Sequence, residues 1–233
     1  MNTIALIPAR GGSKGLPRKN IKLFNSKPLI YWSIQTALNS NYVDRVIVST
    51  DDEEIAEVAK SYSAEVPFLR PKEFASDESP GIDPVIHALE NIPNVDNVLL
   101  LQPTSPFRET KHIEEIFQLS AKYNSDSVVS ISLSKKHVDL FFYLNDKKKL
   151  TSYNDKIKSL PRQQYQNIYT INGSLYLSTK ESLLTNKSFL TPKTIGYVMS
   201  DKYSLDIDTQ LDWDLAEFIM RKYSNEKLDF NGS

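Results

Sequence analysis

Thr3-Ile4-Ala5-Leu6-Ile7-Pro8, at the head of the chain, runs directly into Ala9-Arg10-Gly11-Gly12-Ser13-Lys14-Gly15-Leu16-Pro17-Arg18-Lys19-Asn20. The first six residues are a short apolar run closed by a proline, which reads as a buried β-strand. The glycines at 11, 12 and 15 let a backbone approach a ligand and turn its N–H groups inward, while Arg10, Lys14, Arg18 and Lys19 add positive charge. The pattern reads as a polyphosphate cradle, with a solvated basic turn between strand and helix as the alternative. It is neither a Walker A loop, which needs Gly-Lys followed by Ser or Thr, nor the dinucleotide Gly-x-Gly-x-x-Gly.

Outward from this stretch, apolar runs alternate with helical patterns, the signature of βαβ units and a mostly parallel sheet. Strands are expected at Thr3–Pro8, Arg45–Ser49, Val66–Leu69, Asn97–Leu101 and Asp126–Ile131, and helices at Pro28–Asn39, Asp52–Tyr62, Ile82–Asn91 and Thr110–Tyr123. Lys135 to Gln166 breaks the rhythm: it is polar and basic apart from Phe141-Phe142-Tyr143. A protruding, strand-rich excursion fits better than a long surface loop, because long structureless loops are uncommon in compact domains. Strands at Gly173–Ser178 and Thr194–Met199 and a helix at Thr209–Tyr223 complete the pattern, with a frayed tail from Ser224. His87, inside one expected helix, reads as core-edge, and His112, near the start of another, as surface; neither is invoked as a base.

A chain of 233 residues suits one α/β domain with a small excursion. Hydrophobic residues make up 40% and charged residues 24%, which points to a globular protein rather than a disordered or membrane one. No apolar run approaches the ~20 residues that span a bilayer, and the N-terminus lacks the basic region of a signal peptide. Cysteine is absent, which excludes disulfides, thiolate metal sites and cysteine nucleophiles and fits the cytoplasm. A net charge of −1 argues against a broad nucleic-acid surface. Charge is nevertheless segregated: Met1 to Val43 holds no acid, whereas Asp201 to Glu217 holds Asp206, Asp208, Asp212 and Asp214 against Lys202 alone. One end could hold an anion and the other a cation.

Within the acidic stretch, Ser204-Leu205-Asp206-Ile207-Asp208-Thr209 places two carboxylates at i and i+2. On extended backbone they share a side and can hold a hard cation such as Mg²⁺. Capping of the final helix by Asp208 or Thr209 is the alternative, and Asp212 and Asp214 read as helix surface.

Together with Leu101-Gln102-Pro103-Thr104-Ser105-Pro106-Phe107-Arg108, these two features give a chain that resembles the CMP-N-acetylneuraminate synthetases, or acylneuraminate cytidylyltransferases, from Ile4 to about Ile219. Further matches in family order include Leu69-Arg70-Pro71, Ala75-Ser76-Asp77, Pro161-Arg162-Gln163 and Asn172-Gly173. The resemblance implies a three-layer, Rossmann-like nucleotidyltransferase fold with a mostly parallel sheet over residues 1–223. It also implies an inserted dimerisation excursion at 135–169, ahead of a flexible tail at 224–233. It implies that Arg10, Gly11, Gly12, Ser13, Lys14, Asn20, Arg70, Ser76 and Asp77 bind the nucleotide. Gln102, Thr104, Ser105, Arg162 and Asn172 would face the sugar, with Lys19, Asp206 and Asp208 catalytic and the two aspartates holding Mg²⁺. Taken singly, Gln102 can satisfy a loop carbonyl, Thr104 and Ser105 can cap a helix, and Arg162 can be an exposed cation. The chain departs from the family pattern at His137-Val138-Asp139-Leu140, where many members carry a basic residue soon after His-Pro, and at Glu78, where Ser or Thr is usual.

The implied reaction is cytidylyl transfer: the anomeric hydroxyl of a nine-carbon acidic sugar attacks the α-phosphorus of CTP and pyrophosphate leaves. Legionaminate, pseudaminate or eight-carbon Kdo are alternative acceptors, and a non-catalytic nucleotide-binding protein is an alternative on the same fold. A cytoplasmic homodimer, with neither nucleic acid nor membrane as partner, completes the expectation.

Overall fold

The computed structural model describes residues 1–12, 15–153 and 166–229, with side chains described up to residue 222. Its centre is a six-stranded sheet in the order β10-β6-β9-β5-β1-β4. The strands are β1 (Thr3–Pro8), β4 (Arg45–Ser49), β5 (Asn97–Leu100), β6 (Ser127–Leu133), β9 (Tyr169–Thr179) and β10 (Ile195–Val198). β1 runs parallel to both β4 and β5, and β10 parallel to β6; only β9, between β5 and β6, is antiparallel to its neighbours.

The sheet is buried on both faces, as the unbroken apolar runs require. Along β1, Ala5 and Ile7 join a core with α1 (Leu29–Leu38), α2 (Glu53–Ser61) and α4 (Thr110–Tyr123) through Ile30, Ile34, Ile55 and Ile113. Ile4 and Leu6 point the other way, into a core with α3 (Asp83–Asn91) and α5 (Lys180–Asn186) through Val85, Leu89 and Leu183. This period of two makes three layers. The last helix, α6 (Gln210–Asp229), closes a third cluster in which Phe24 meets Phe107 and Trp213 edge-on. No described helix is long and apolar enough to cross a membrane.

Several elements differ from the sequence expectation. Val66–Leu69 forms no strand: one isolated bridge, Ile47 to Glu65, lies just before it and one, Thr50 to Leu69, at its end, because Pro67 supplies no N–H to a ladder. The hairpin β2 (Leu23–Phe24) and β3 (Lys27–Pro28) was not anticipated; Asn25 and Ser26 turn it with φ of 49° and 66°, as a tight two-residue loop requires. α5 was also missed, although Thr179 caps it by accepting from Ser182 N at 3.2 Å. α6 continues to Asp229, past the end expected at Tyr223, since Ser-Asn-Glu-Lys-Leu-Asp contains no helix breaker. In the excursion, β7 (Phe142–Leu144) and β8 (Leu150–Ser152) pair as an antiparallel hairpin, and residues 154–165 lie outside the described chain.

His112 is buried rather than superficial, at 3% exposure. It sits at the third position of α4 in a capping box: its Nδ1 accepts from Glu109 N at 2.9 Å while the Glu109 carboxylate accepts in return. Burial, with help from Lys111 and Arg108 and against Glu109 and Glu115, holds its pKa below the ordinary 6.5. A base with a depressed folded pKa gives stability that is complete above its unfolded pKa and lost as pH falls through the folded one. The melting temperature is therefore expected to drop between about pH 7 and about pH 5. His112→Gln, which keeps a capping-box acceptor, should flatten that slope; identical slopes in both proteins would place the titrating group elsewhere.

Candidate active site

The chain leaves β1 for β4 on one side and returns to β5 on the other, so strand order reverses between β1 and β5. In an open α/β sheet the crevice beyond the carboxyl ends of strands at such a point is where ligands bind. Here the loops after β1 and β5 flank a cleft of about 430 Å³. Arg10, Lys19 and Arg70 supply its cations and Asp77, Asp206 and Asp208 its carboxylates, with Asn20, Ser76, Gln102 and Thr104 also on the wall. A second hollow of about 390 Å³ adjoins it through shared Gln102 and Asp206, and is completed by Ser132, Thr170, Asn172 and Tyr176 among others.

The first loop carries its functional groups inward through a 3₁₀ turn at Lys19–Ile21. Lys19 is buried, and its Nζ donates to Ile207 O at 2.7 Å and Asp208 Oδ1 at 3.0 Å. Asn20 Nδ2 donates to Arg10 O at 3.0 Å, tying the two stems of the loop together. Arg10 reaches across the cleft mouth to Asp77 at 2.7 Å. Arg70 is buried, its Nε has no hydrogen-bond partner among the described residues, and desolvation lowers its pKa.

The glycines act differently from the sequence expectation. Gly11 N donates to Asp51 Oδ1 at 2.9 Å, away from the cleft, and Gly12 has open space where a Cβ would be. Gly15 is required by close approach: a Cβ there would lie 2.2 Å from the main-chain oxygen of Asp208. Ser13, Lys14 and Arg162 lie outside the described residues.

The two readings of the aspartate segment are separated by geometry. Thr209 and Asp212 form the capping box of α6: Asp212 Oδ2 accepts from Thr209 N at 2.7 Å, and Thr209 Oγ1 accepts from Asp212 N at 3.2 Å. Asp212 is thus a cap rather than plain helix surface, and Asp208 is free of that duty, with its side chain 70% exposed towards Lys19 and the cleft. Asp206 is largely buried; burial raises its pKa, the Thr104 hydroxyl donor and Lys19 oppose that, and Asp208 adds to it.

Of the residues expected to face a sugar, Gln102 and Thr104 reach the cleft, but Ser105 is fully buried beneath it and lines neither hollow. Asn172 lines the second hollow, yet its amide is engaged: Oδ1 accepts from Ser130 Oγ at 2.6 Å and Nδ2 donates to Ser204 Oγ at 2.9 Å. Gly173 has φ of 75°, and a Cβ there would meet Gln102 Oε1 at 2.7 Å, so this glycine admits the glutamine to the shared wall. Ser204 and Tyr176 escaped the sequence reading. Ser204 was discoverable, because it precedes Asp206 and Asp208 at the same spacing of two.

Residues 4–227 match the family described as Cytidylyltransferase. The chain belongs to that family. It is 37% identical over 229 residues to an N-acylneuraminate cytidylyltransferase of Escherichia coli O18:K1:H7 (strain RS218 / NMEC), covering 97% of this chain and 54% of that one. It is 38% identical over 226 residues to a CMP-N,N'-diacetyllegionaminic acid synthase of Legionella pneumophila (strain Philadelphia 1), covering 94% of this chain and 97% of that one. A solved structure of CMP:2-keto-3-deoxy-manno-octonic acid synthetase complexed with CTP superposes with a TM-score of 0.75 over 96% of this chain and 100% of that chain. At 14% identity this likeness speaks for the fold. The chain spans about half the length of the N-acylneuraminate cytidylyltransferases it matches.

In this cytidylyltransferase-family chain, separate jobs for Asp208 and Thr209 have a measurable consequence. Thr209→Ala should cost about 1 kcal/mol in urea unfolding, whereas Asp208→Asn should leave the midpoint nearly unchanged. Equal losses would return Asp208 to the helix cap.

Proposed function

We propose that the protein transfers CMP from CTP to the anomeric hydroxyl of a nine-carbon acidic sugar of the sialic-acid type, with release of pyrophosphate, in the cytoplasm. The observation that carries this reading is the meeting of Arg10, Lys19 and Arg70 with Asp206 and Asp208 in one cleft, joined through Gln102 and Asp206 to a second, polar hollow. The first hollow has the charge to take a nucleoside triphosphate and the second the hydroxyls and amide to take a sugar. The names of the relatives, N-acylneuraminate cytidylyltransferase and CMP-N,N'-diacetyllegionaminic acid synthase, support the acceptor class.

Direct displacement at phosphorus asks a protein mainly for alignment and charge neutralisation. Arg10 and Arg70 would offset phosphate charge, and Asn20 would fix the loop that presents Arg10. Lys19 holds Asp208 in place by its bond to Oδ1 and fixes the segment by its bond to Ile207 O. No covalent intermediate and no histidine base is needed. Asp206 and Asp208 fit a hard divalent cation such as Mg²⁺. Asp206 Oδ1 is buried without a hydrogen-bond partner among the described residues, and the neighbouring Asp208 carboxylate raises its need for a counter-charge. Among the described residues no cluster of three or more His, Cys, Asp or Glu surrounds a common point, so phosphate oxygens and water would complete the shell. When bound, such a cation neutralises phosphate charge and polarises the attacking hydroxyl.

The excursion supports a homodimer in this reading. Phe141, Phe142, Tyr143 and Leu144 are each about half exposed, and Leu150 on the facing strand is 66% exposed. An apolar patch of this kind on a globular protein marks a contact surface. Light scattering should give twice the chain mass at micromolar concentration, and Phe142→Glu should lower it; a monomeric wild type would overturn the assignment.

Pyrophosphate release from CTP with N-acetylneuraminate, N,N'-diacetyllegionaminate, pseudaminate and Kdo tests the reaction. Turnover is expected with a nine-carbon acid, abolished by EDTA and restored by Mg²⁺. Asp208→Asn should lower kcat by about 100-fold or more with the fold intact. CTP binding without turnover on any acid would leave a nucleotide-binding protein, and turnover that survives EDTA would remove the metal.

A further inference from the structure

Arg18 looks, in sequence, like one more cation of the polyphosphate loop. The structure gives its side chain another partner. Its backbone is left-handed, at φ 55° and ψ 26°, a conformation uncommon for any residue but glycine. That twist starts the 3₁₀ turn, in which Ile21 N and Lys22 N donate to Arg18 O at 3.1 and 3.0 Å. The turn sends Lys19 and Asn20 to the buried side of the loop. The Arg18 guanidinium goes the opposite way, to the N-terminus of α2, where it pairs with Asp52 and Glu54; Nη2 lies 3.2 Å from Asp52 Oδ1 and the other two contacts are closer. It does not line the cleft that Arg10, Lys19 and Arg70 share.

The landing site is rigid. Asp52 caps α2 by accepting from Ile55 N at 3.0 Å, and its own N–H donates to Thr50 Oγ1 at 3.1 Å, at the end of β4. Next to it, Asp51 Oδ1 takes the Gly11 N–H, so the entering stem of the loop is fastened to the same helix end as the leaving one. A Cβ on Gly11 would lie 2.7 Å from Asp52 Oδ2, which shows how closely the entering stem is seated. Electrostatics agree with the geometry: the hydrogen bond to Arg18 holds the Asp52 carboxyl below its ordinary pKa.

We propose that Arg18 is a positioning residue: its ion pairs with Asp52 and Glu54 latch the first loop to the head of α2 and hold Lys19 and Asn20 in the nucleotide cleft, and it is not itself a phosphate ligand. The ligand half of this statement rests on the proposed use of CTP; the latch itself does not.

A double-mutant cycle on the full chain separates the alternatives. Asp52→Asn removes the charge while asparagine keeps the cap on α2. If Arg18 is a latch, Arg18→Ala and Asp52→Asn should each weaken CTP binding, measured by calorimetry, by about fivefold. The double variant should be no worse than either single, and Arg18→Lys should recover part of the loss. KM for the sugar should not move. If Arg18 binds phosphate, Asp52→Asn should leave CTP binding unchanged or tighten it by releasing the guanidinium, and that result would overturn the proposal. Hydrogen exchange without nucleotide gives a second readout. Both single variants should speed exchange at the amides of Lys19, Ile21 and Lys22 while the sheet amides keep their protection; unchanged exchange in this turn would also refute the latch. Should the wild type bind no CTP, the proposed reaction fails, and the exchange data still decide the latch.

Discussion

The site depends on one contact between distant parts of the chain. Lys19 and Asp208 are 189 residues apart, yet the lysine ammonium is buried on Asp208 and on the carbonyl of Ile207. A buried ammonium is costly unless its donors are satisfied, so the first loop and the aspartate segment are held in one arrangement. Gly15 makes the approach possible by presenting no Cβ to the Asp208 carbonyl. The segment is fastened from its other side as well, since Ile207 N donates to Thr104 O at 2.9 Å. Three loops, after β1, after β5 and before α6, are thereby joined at one point, and the cleft is the space they leave.

Arg108 supports the second of these loops from beneath. Its guanidinium is fully buried with no carboxylate bonded to it among the described residues, and desolvation pushes its pKa down to about 9, with Asp206 the opposing charge. It is tolerated because its donors are met by acceptors: Ser174 O at 2.8 Å, Ser105 O at 2.9 Å, Ser33 Oγ at 3.0 Å and the carbonyl of Gln102. Those acceptors belong to α1, β9 and the loop after β5. A single planar donor fork thus fixes the main chain of Gln102, whose side chain faces the cleft. An Arg at the end of Gln-Pro-Thr-Ser-Pro-Phe-Arg is in this sense a structural member of the site, although it touches neither hollow.

Much of the sheet was legible because its strands are buried on both faces and so read as unbroken apolar runs; β1, β4 and α4 end where the sequence places them. The elements that were missed are held by local turn chemistry or tertiary pairing. The β2–β3 hairpin depends on two left-handed residues, Asn25 and Ser26, that are not glycine, and the seven-residue α5 is too short for helical periodicity to stand out. In the site, charge type was legible and direction was not. Arg18 and Gly11 sit in the same basic, glycine-rich loop as Lys19 and Asn20, but the alternation of the backbone sends the first pair to α2 and the second to the cleft. Composition along a loop carries no information about such a division.

The two hollows differ in what builds them, and that bears on how the proposed reaction would distinguish acceptors. The proposed nucleotide side is made by loops at the switch between β1 and β5, joined through the segment before α6 by the bonds of Lys19 to Ile207 O and of Ile207 N to Thr104 O. The other side is made largely by β6 and β9, where the register shifts between Val129 and Ile131 and Ser130 Oγ donates to Asn172 while accepting from Leu175 N at 2.8 Å. An irregularity of this kind re-aims side chains without dissolving the ladder. Asn172, already held by Ser130 and Ser204, is then a rigid wall rather than a searching ligand. In the proposed reaction, discrimination between acidic sugars would therefore fall to the other residues of this hollow, such as Thr170 and Tyr176 on β9 and Ser132 on β6, and these lie on the strands that lead into and out of the excursion. Changes in that excursion would then alter the proposed acceptor side through β6 and β9 while the other hollow, anchored by the loops at the opposite end of the site, keeps its geometry.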